Sequence, residues 1–300
     1  MAELDVVKVD AFTEDLYSGN PTWVVFDPDA LDDVQMQRIA FELGGPSTAF
    51  CLRSKKADVR LRYFSPFLED PISGHATIGA LGALLERGVF GGSAAGKHRL
   101  ETAIGVLPFH IDTSRDGPKR VWMTQRKPMF AKVAEFKESA SALGIGAESL
   151  FHEEFPLTRA STGLPCLLVP VRSAEILGRI EPRQNEINEL AEELEISAIV
   201  AYTWDVLDAG STVQIRCLLP GPVVTEDIAS GMPAGALGAY LAENDLIPRD
   251  SCDRIVIEQG HWLGRPSRIN VRLEKRGSAI SRVDVGGSVR ISVRGRISID

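Results

Sequence analysis

Two six-residue segments of the sequence place an aspartate three positions before a serine. Both have the pattern E-D-x-x-S-G, at residues 69–74 and 226–231. A serine before a run of Gly, Ala and Leu predicts a helix N-cap, and an aspartate beside it is a candidate general acid or base. The segments therefore predict two helix starts that each carry a carboxyl group, Asp70 in the first and Asp227 in the second.

The residues just inside these helix starts are candidates for binding an anion. The first turn of a helix presents backbone N–H groups and a partial positive charge, and Gly74 and Gly231 let a ligand approach that backbone closely. Two such ends facing each other would hold a carboxylate or an enolate. His75 in the first turn of the first helix is then a candidate proton carrier. The alternative interpretation makes both segments capped helix starts and His75 a packing residue.

Asp70 and Asp227 occupy matching positions, and we interpret them as a pair of acids at one pocket. Such a pair works when one carboxyl group is ionised as the base and the other is protonated as the acid, so their pKa values should be pushed apart. The alternative for Asp70 is a solvent-facing charge at a helix end. Ser73 and Ser230 are predicted to bind substrate beside this pair.

The two segments belong to a longer internal repeat, which must position them. Each follows an R-x-x-x-P pattern, at residues 62–66 and 216–220, and each precedes G-A-L-G-A, at residues 79–83 and 235–239. Three matches in the same order indicate a duplication rather than chance. The G-A-L-G-A helices are apolar on all sides. Each helix is therefore predicted to be enclosed by the sheet of its own half.

Upstream of each repeat, a glycine turn leads into an apolar strand and then into an amphipathic helix. The turns are at residues 19–21 and 163–165. The helices share the apolar spacing i, i+3, i+4, i+7, at Met36, Ile39, Ala40 and Leu43 and at Ile187, Leu190, Ala191 and Leu194. Each half is therefore predicted to mix strands and helices.

The composition limits the possible partners. The 300 residues carry a net charge of −8, and no cluster of Lys and Arg forms a stripe, so a small polar or anionic substrate is expected rather than nucleic acid. Acidic residues at the N-terminus and the lack of an apolar run of membrane length predict a cytoplasmic protein with no membrane partner. The four cysteines and five histidines are dispersed, which predicts buried, reduced thiols and no metal site.

Short motifs along nearly the whole chain resemble one known family. They are V-D-A-F at 9–12, G-N-P at 19–21, F-S-P at 64–66, G-H-A-T at 74–77, the segment at 226–231, E-Q-G at 258–260, G-R-P-S at 264–267 and V-G-G at 285–287. Together they make the sequence similar to the PhzF (phenazine biosynthesis-like) family.

The resemblance implies the diaminopimelate-epimerase fold, of the α/β (α+β) class. That fold has two pseudo-symmetric halves, each a curved, mainly antiparallel sheet around a central helix, with the active site between them. We place the first half at residues 1–125, with residues 286–300 returning to it, and the second half at residues 135–285. The resemblance also implies a cofactor-free enzyme that moves a proton within a small substrate, in a homodimer.

Three positions depart from the family pattern. Ser47 stands where the family has its usual acid/base glutamate, Met232 where it has a serine, and Ile228 where it has a proline. A serine of ordinary pKa cannot replace a carboxylate as a base at neutral pH. Ser47 is therefore interpreted as a hydrogen-bonding residue of the catalytic pocket, and Met232 as a substrate-binding residue.

Three functions are consistent with these residues. The one we favour is a cofactor-independent isomerase of a small carboxylate-bearing metabolite, with His75 and Asp227 as proton carriers. The second is a racemase, epimerase or dehydratase of an amino or hydroxy acid, with Ser73 and Ser230 at the paired acid/base positions where the wider superfamily has cysteines. A serine is far too weak an acid for that role unless it is activated. The third is a ligand-binding homologue that kept the pocket and lost the chemistry.

Overall fold

The computed structural model describes residues 2–91, 95–113, 119–134, 136–151, 153–277 and 279–299. The chain divides into two units, Met1–Thr124 with Gly286–Asp300 (unit 1) and Gln125–Val285 (unit 2). The predicted domain limits at residues 1, 135 and 300 lie outside the described residues. No helix in these described ranges is long and apolar enough to cross a membrane.

The described residues form strands, in runs of two to four, separated by single α-helices or by a pair of α-helices. In chain order they are β1 (Glu3–Ala11), β2 (Asn20–Phe26), α1 (Asp33–Leu43), β3 (Thr48–Leu52), β4 (Val59–Phe64), β5 (Glu69–Asp70), α2 (Gly74–Glu86), β6 (Gly96–Thr102), β7 (Gly105–Asp112), β8 (Arg120–Thr124), β9 (Met129–Lys132), α3 (Phe136–Ala142), β10 (Thr158–Ser161), β11 (Pro165–Pro170), α4 (Ala174–Gly178), α5 (Gln184–Glu193), β12 (Ala198–Thr203), β13 (Val213–Leu218), β14 (Glu226–Asp227), α6 (Gly231–Glu243), β15 (Ile255–Gln259), β16 (Ser267–Arg276), β17 (Ala279–Gly287) and β18 (Val289–Ser298).

Unit 1 is built on a mainly antiparallel sheet. The pairs β1–β2, β3–β4, β4–β5, β6–β7, β7–β8 and β1–β18 are antiparallel, and the pairs β2–β3 and β4–β6 are parallel. The strand β18 from the end of the chain thus pairs with the first strand.

Unit 2 repeats this order of pairing. The pairs β9–β10, β10–β11, β12–β13, β13–β14 and β15–β16 are antiparallel, and the pairs β11–β12 and β13–β15 are parallel. Even the register agrees, because Asp70 lies opposite Tyr63 and Asp227 lies opposite Cys217 at the matching strand positions. The shared topology confirms the predicted duplication and the predicted fold class.

The helices α2 and α6 are the buried helices predicted from the G-A-L-G-A sequences. Ten of the 13 residues of each helix are buried, and each helix packs on the sheet of its own unit. Glycines bring helix and strand close together, since a Cβ at Gly82 would lie only 2.3 Å from Cγ2 of Val289. The burial of the two helices leaves their N-terminal ends as the elements that carry the candidate site residues.

The predicted amphipathic helices are also present. The helix α1 begins with a capping box at Asp32 and buries Met36 and Ala40, and α5 buries Ile187 and Leu190. All four cysteines are buried free thiols, as predicted. Burial raises the pKa of the Cys166 thiol to about 12, which keeps it protonated.

Candidate active site

The glutamate of each E-D-x-x-S-G segment forms an ion pair with the arginine of the preceding R-x-x-x-P pattern. In unit 2, Nε and Nη2 of Arg216 donate to the two carboxylate oxygens of Glu226 at 2.9 and 2.7 Å. In unit 1, Arg62 donates to Glu69 in the same way at 2.7 and 2.8 Å. Paired bonds of this kind fix both distance and orientation. They therefore hold the short strands β5 and β14, which carry the two candidate aspartates.

The two ion pairs differ in their environment. The side chains of Arg216 and Glu226 are 8 % and 9 % exposed, and Nη1 of Arg216 also donates to two backbone carbonyl groups. The side chains of Arg62 and Glu69 are 15 % and 37 % exposed. The hydrogen bond from Arg62 to Glu69 raises the pKa of the arginine above its ordinary value. The same sequence pattern thus gives a buried pair in unit 2 and a partly solvated pair in unit 1.

In unit 2, Asp227 and Ser230 are directly hydrogen-bonded. The hydroxyl of Ser230 donates to Oδ2 of Asp227 at 2.6 Å. Gln259 bonds to both residues: its Nε2 donates to the backbone oxygen of Asp227 at 2.7 Å and to Oγ of Ser230 at 3.1 Å, and its Oε1 accepts from the N–H of Ser230 at 2.9 Å. Gln259 belongs to the E-Q-G motif, for which no role was predicted.

The two serines occupy the N-cap positions of α2 and α6, as predicted, but neither side chain caps its helix within the described part of the chain. The hydroxyl of Ser230 donates instead to the nearby carboxylate of Asp227. In unit 1, the hydroxyl of Thr77 donates to the backbone oxygen of Ser73 at 2.6 Å and shares a hydrogen bond with Tyr63. The two N-cap positions are therefore as predicted, and their hydroxyls make other contacts or none that caps the helix.

Asp70 lies on β5, at the position that matches Asp227 on β14. Burial raises the pKa of the Asp70 carboxyl group, which is the direction expected for the protonated member of an acid pair. His75 is partly buried in the first turn of α2, directly after Gly74. Whether Asp70, His75 and Asp227 act on one substrate stays a prediction.

Gln125 and Thr162 hold the first turn of α6. Nε2 of Gln125 donates to the backbone oxygen of Gly231 at 2.9 Å, and the hydroxyl of Thr162 contacts Oε1 of Gln125 at 2.6 Å and the backbone oxygen of Met232 at 3.1 Å. The turn they hold contains two of the predicted substrate-binding residues. Neither residue was predicted, because no motif or repeat marks Gln125 or Thr162 in the sequence.

Comparison with known proteins decides the family. The model of the phenazine biosynthesis-like proteins (PhzC-PhzF) matches residues 9–295 of the chain. The chain belongs to this family. The resemblance that the motifs indicated is thereby confirmed.

Members of the phenazine biosynthesis-like family with similar sequences are named isomerases. An uncharacterized isomerase from Deinococcus radiodurans is 35% identical over 294 residues, which are 96% of this chain and 92% of that protein. The trans-2,3-dihydro-3-hydroxyanthranilate isomerase of Pseudomonas aeruginosa is 31% identical over 293 residues, 97% of this chain and 98% of that protein. The crystal structure of a PhzF family protein from Bacillus anthracis superposes with a TM-score of 0.89 at 28% identity, covering 100% of both chains.

Ser47 is the residue that the motif resemblance places at the position of the family glutamate. It is 2 % exposed, and its hydroxyl has no hydrogen-bond partner in the described part of the chain. Its backbone oxygen accepts from the hydroxyl of Thr22 at 2.9 Å and from the N–H of Trp23 at 3.1 Å. Two hydrogen bonds to its backbone oxygen thus hold the chain just before β3.

Each unit contains side chains that are suited to moving protons. Unit 2 supplies a carboxylate bonded to a hydroxyl, and unit 1 supplies a carboxyl group of raised pKa and an imidazole. Such side chains are the usual general acids and bases of enzymes. No group of three or more His, Cys, Asp and Glu in the described ranges is placed to hold a metal ion.

Proposed function

We propose that this chain is a cofactor-independent isomerase that moves a proton within a small carboxylate-bearing metabolite. The observation that carries the proposal is the hydrogen bond between Ser230 and Asp227 at the start of the buried helix α6. The backbone N–H groups and the partial positive charge of such a helix end favour a bound anion. The isomerase names of the similar proteins support the same reaction class.

In the proposed reaction, Asp227 and His75 carry the proton. One of them takes it from a carbon atom of the substrate, and the other returns a proton to a second carbon atom. The backbone N–H groups of Gly74, His75 and Gly231 stabilise the anion that forms between the two steps. Asp70 is the protonated acid in this scheme, a role that its raised pKa supports.

The proposed substrate differs from that of the Pseudomonas aeruginosa isomerase. Ser47 occupies the position at which the family resemblance places a glutamate base, and a hydroxyl of ordinary pKa does not take a proton from carbon. The buried hydroxyl of Ser47 without a partner instead supports a contact with a polar group of the substrate. We therefore propose a carboxylate substrate whose isomerisation needs no base at position 47.

A ligand-binding homologue is the second candidate, and the same serine favours it. A chain that has lost its base and kept its pocket would bind the acid without changing it. The epimerase alternative has less support, because only Ser230 donates to its aspartate, whereas a paired mechanism needs both serines to be activated.

Incubation with candidate acids in heavy water separates these functions. The panel contains amino acids, hydroxy acids and cyclic unsaturated carboxylic acids, analysed by NMR and mass spectrometry. An isomerase adds deuterium at a new carbon, and an epimerase adds it at the original carbon with inversion. If the chain only binds an acid, the acid raises the melting temperature of the protein but gains no deuterium. Asp227→Asn serves as the control in every incubation.

The assembly and the location of the enzyme are part of the same proposal. We propose a homodimer in the cytoplasm. The resemblance to the family supports the homodimer. Light scattering coupled to size-exclusion chromatography tests the dimer, and a mass of one chain, 32.6 kDa, would count against it.

A further inference from the structure

The orientation of the Gln259 side-chain amide follows from the backbone groups around it. The N–H of Ser230 can only donate, so it faces Oε1 of Gln259, and the carbonyl of Asp227 can only accept, so it faces Nε2. Nε2 also donates to Oγ of Ser230. That hydroxyl therefore accepts from Gln259 and directs its single proton to Asp227. Its contact of 2.6 Å has the length of a charge-assisted O–H···O⁻ bond.

Gly260 allows Gln259 to lie this close to the loop between Asp227 and Ser230. Its φ is +83°, and a Cβ there would lie 2.8 Å from the backbone oxygen of Ile228 and 2.4 Å from that of Arg265. A side chain at this position would push the end of β15 away from the loop. In the E-Q-G motif, Gln259 thus bonds to Asp227 and Ser230, and Gly260 leaves the room that this close contact needs.

The corresponding position of unit 1 has a different residue and a different contact. The registers of the parallel pairs β13–β15 and β4–β6 make Thr102 the counterpart of Gln259. The hydroxyl of Thr102 donates to the backbone oxygen of Gly105 at 3.1 Å, within the turn that follows β6. The duplication therefore extends to the aspartates and serines but not to the glutamine.

We propose that Gln259 is a positioning residue that makes Ser230 and Asp227 a proton relay, present in unit 2 and not repeated in unit 1. This inference rests on the proposed function. In the step assigned to Asp227, the proton reaches the carboxylate through Ser230: a substrate carbon gives its proton to Oγ of Ser230 while the hydroxyl proton passes to Oδ2 of Asp227. The serine stays neutral, the carboxylate becomes a carboxylic acid, and the substrate becomes the anion. The reverse transfer returns the proton.

A double-mutant cycle tests whether Gln259 acts through Ser230. Gln259→Glu keeps an acceptor for the N–H of Ser230, but it cannot donate to the hydroxyl. We expect it to lower kcat by about 10- to 100-fold, with KM changed by less than about 3-fold. In the Ser230→Ala background, where the substitution removes only the bond to the backbone oxygen of Asp227, it should lower kcat by less than about 3-fold. Thr102→Val is the matched control and should keep the wild-type kcat. Independent, multiplying losses from Gln259→Glu and Ser230→Ala would overturn the inference.

A second readout needs no substrate. Ser230 is 5 % exposed and its hydroxyl makes a bond of 2.6 Å, so we expect its proton to give its own downfield ¹H NMR signal. We expect that signal in the wild type and in Thr102→Val, and its loss in Ser230→Ala and in Gln259→Glu. A wild type that shows the signal but labels no acid overturns the proposed function and leaves the positioning role standing. A signal that survives in Gln259→Glu overturns the positioning role, whatever the activity.

Discussion

Glu226 and Glu69 form the same ion pair in two different environments, and their replacement by glutamine should have very different costs. Glu226→Gln leaves the guanidinium of Arg216 without its counter-charge in a site where both side chains are less than a tenth exposed. Breaking a buried pair costs about 3–5 kcal/mol. Two backbone carbonyl groups still accept from Arg216, so we expect the low end, about 3 kcal/mol. Glu69 is 37 % exposed, and Glu69→Gln should cost about 0.2–1 kcal/mol.

Urea denaturation of the two variants and the wild type, followed by circular dichroism, measures this difference. Amide hydrogen exchange in α2 and α6 then assigns each loss of stability to unit 1 or unit 2. This assignment remains valid even if the two units unfold in separate steps. Raising the salt concentration should reduce the effect of Glu69→Gln more than that of Glu226→Gln, because water screens the exposed pair. Equal losses in the two variants, or a larger loss for Glu69→Gln, would refute the reasoning from burial.

Three further predictions concern the candidate site. Asp70→Asn and Asp227→Asn should each lower turnover by about two orders of magnitude; full activity of Asp70→Asn would leave His75 and Asp227 as the proton carriers. Because burial raises the pKa of Asp70 above 3.8, its contribution to stability is present below that pH and lost as the pH rises through the folded-state pKa. Urea denaturation measured from about pH 3 to about pH 7 should therefore show Asp70→Asn gaining stability relative to the wild type as the pH rises. If the difference in the free energy of unfolding did not change with pH, the raised pKa of Asp70 would be contradicted. Ser47→Ala should not lower the free energy of unfolding, because the hydroxyl it removes is buried without a partner; a loss above about 1 kcal/mol in urea denaturation would show that a partner exists.

The duplicated fold was predictable because its motifs combine residues that act together. Arg62 with Glu69, and Arg216 with Glu226, form ion pairs across adjacent strands, so both residue types recur at a similar spacing in each half. The apolar G-A-L-G-A helices likewise need the same small residues wherever a sheet encloses them. The helices and strands of the repeat, their order and the positions of the two serines could therefore be predicted from local sequence.

The hydrogen bonds of the site were not predictable in the same way. A serine at an N-cap position has several possible acceptors and donors, and in unit 2 the carboxylate of Asp227 and the amide of Gln259 decide the outcome. Gln259 lies 29 residues beyond Ser230 and has Thr102 as its counterpart, so a search for repeats passes over it. Contacts between residues distant along the chain had to be seen in the structure.

Deuterium incorporation is the measurement that tests the central claim most directly. Wild-type enzyme and Asp227→Asn are incubated with the panel of acids in heavy water, and the acids are analysed by mass spectrometry. We predict that at least one acid gains deuterium at a carbon with the wild type, and that Asp227→Asn, folded to the same melting temperature, labels it at least about 100-fold more slowly. Absence of label from every acid that binds, or equal rates with the two proteins, would contradict a proton-transfer isomerase that works through Asp227.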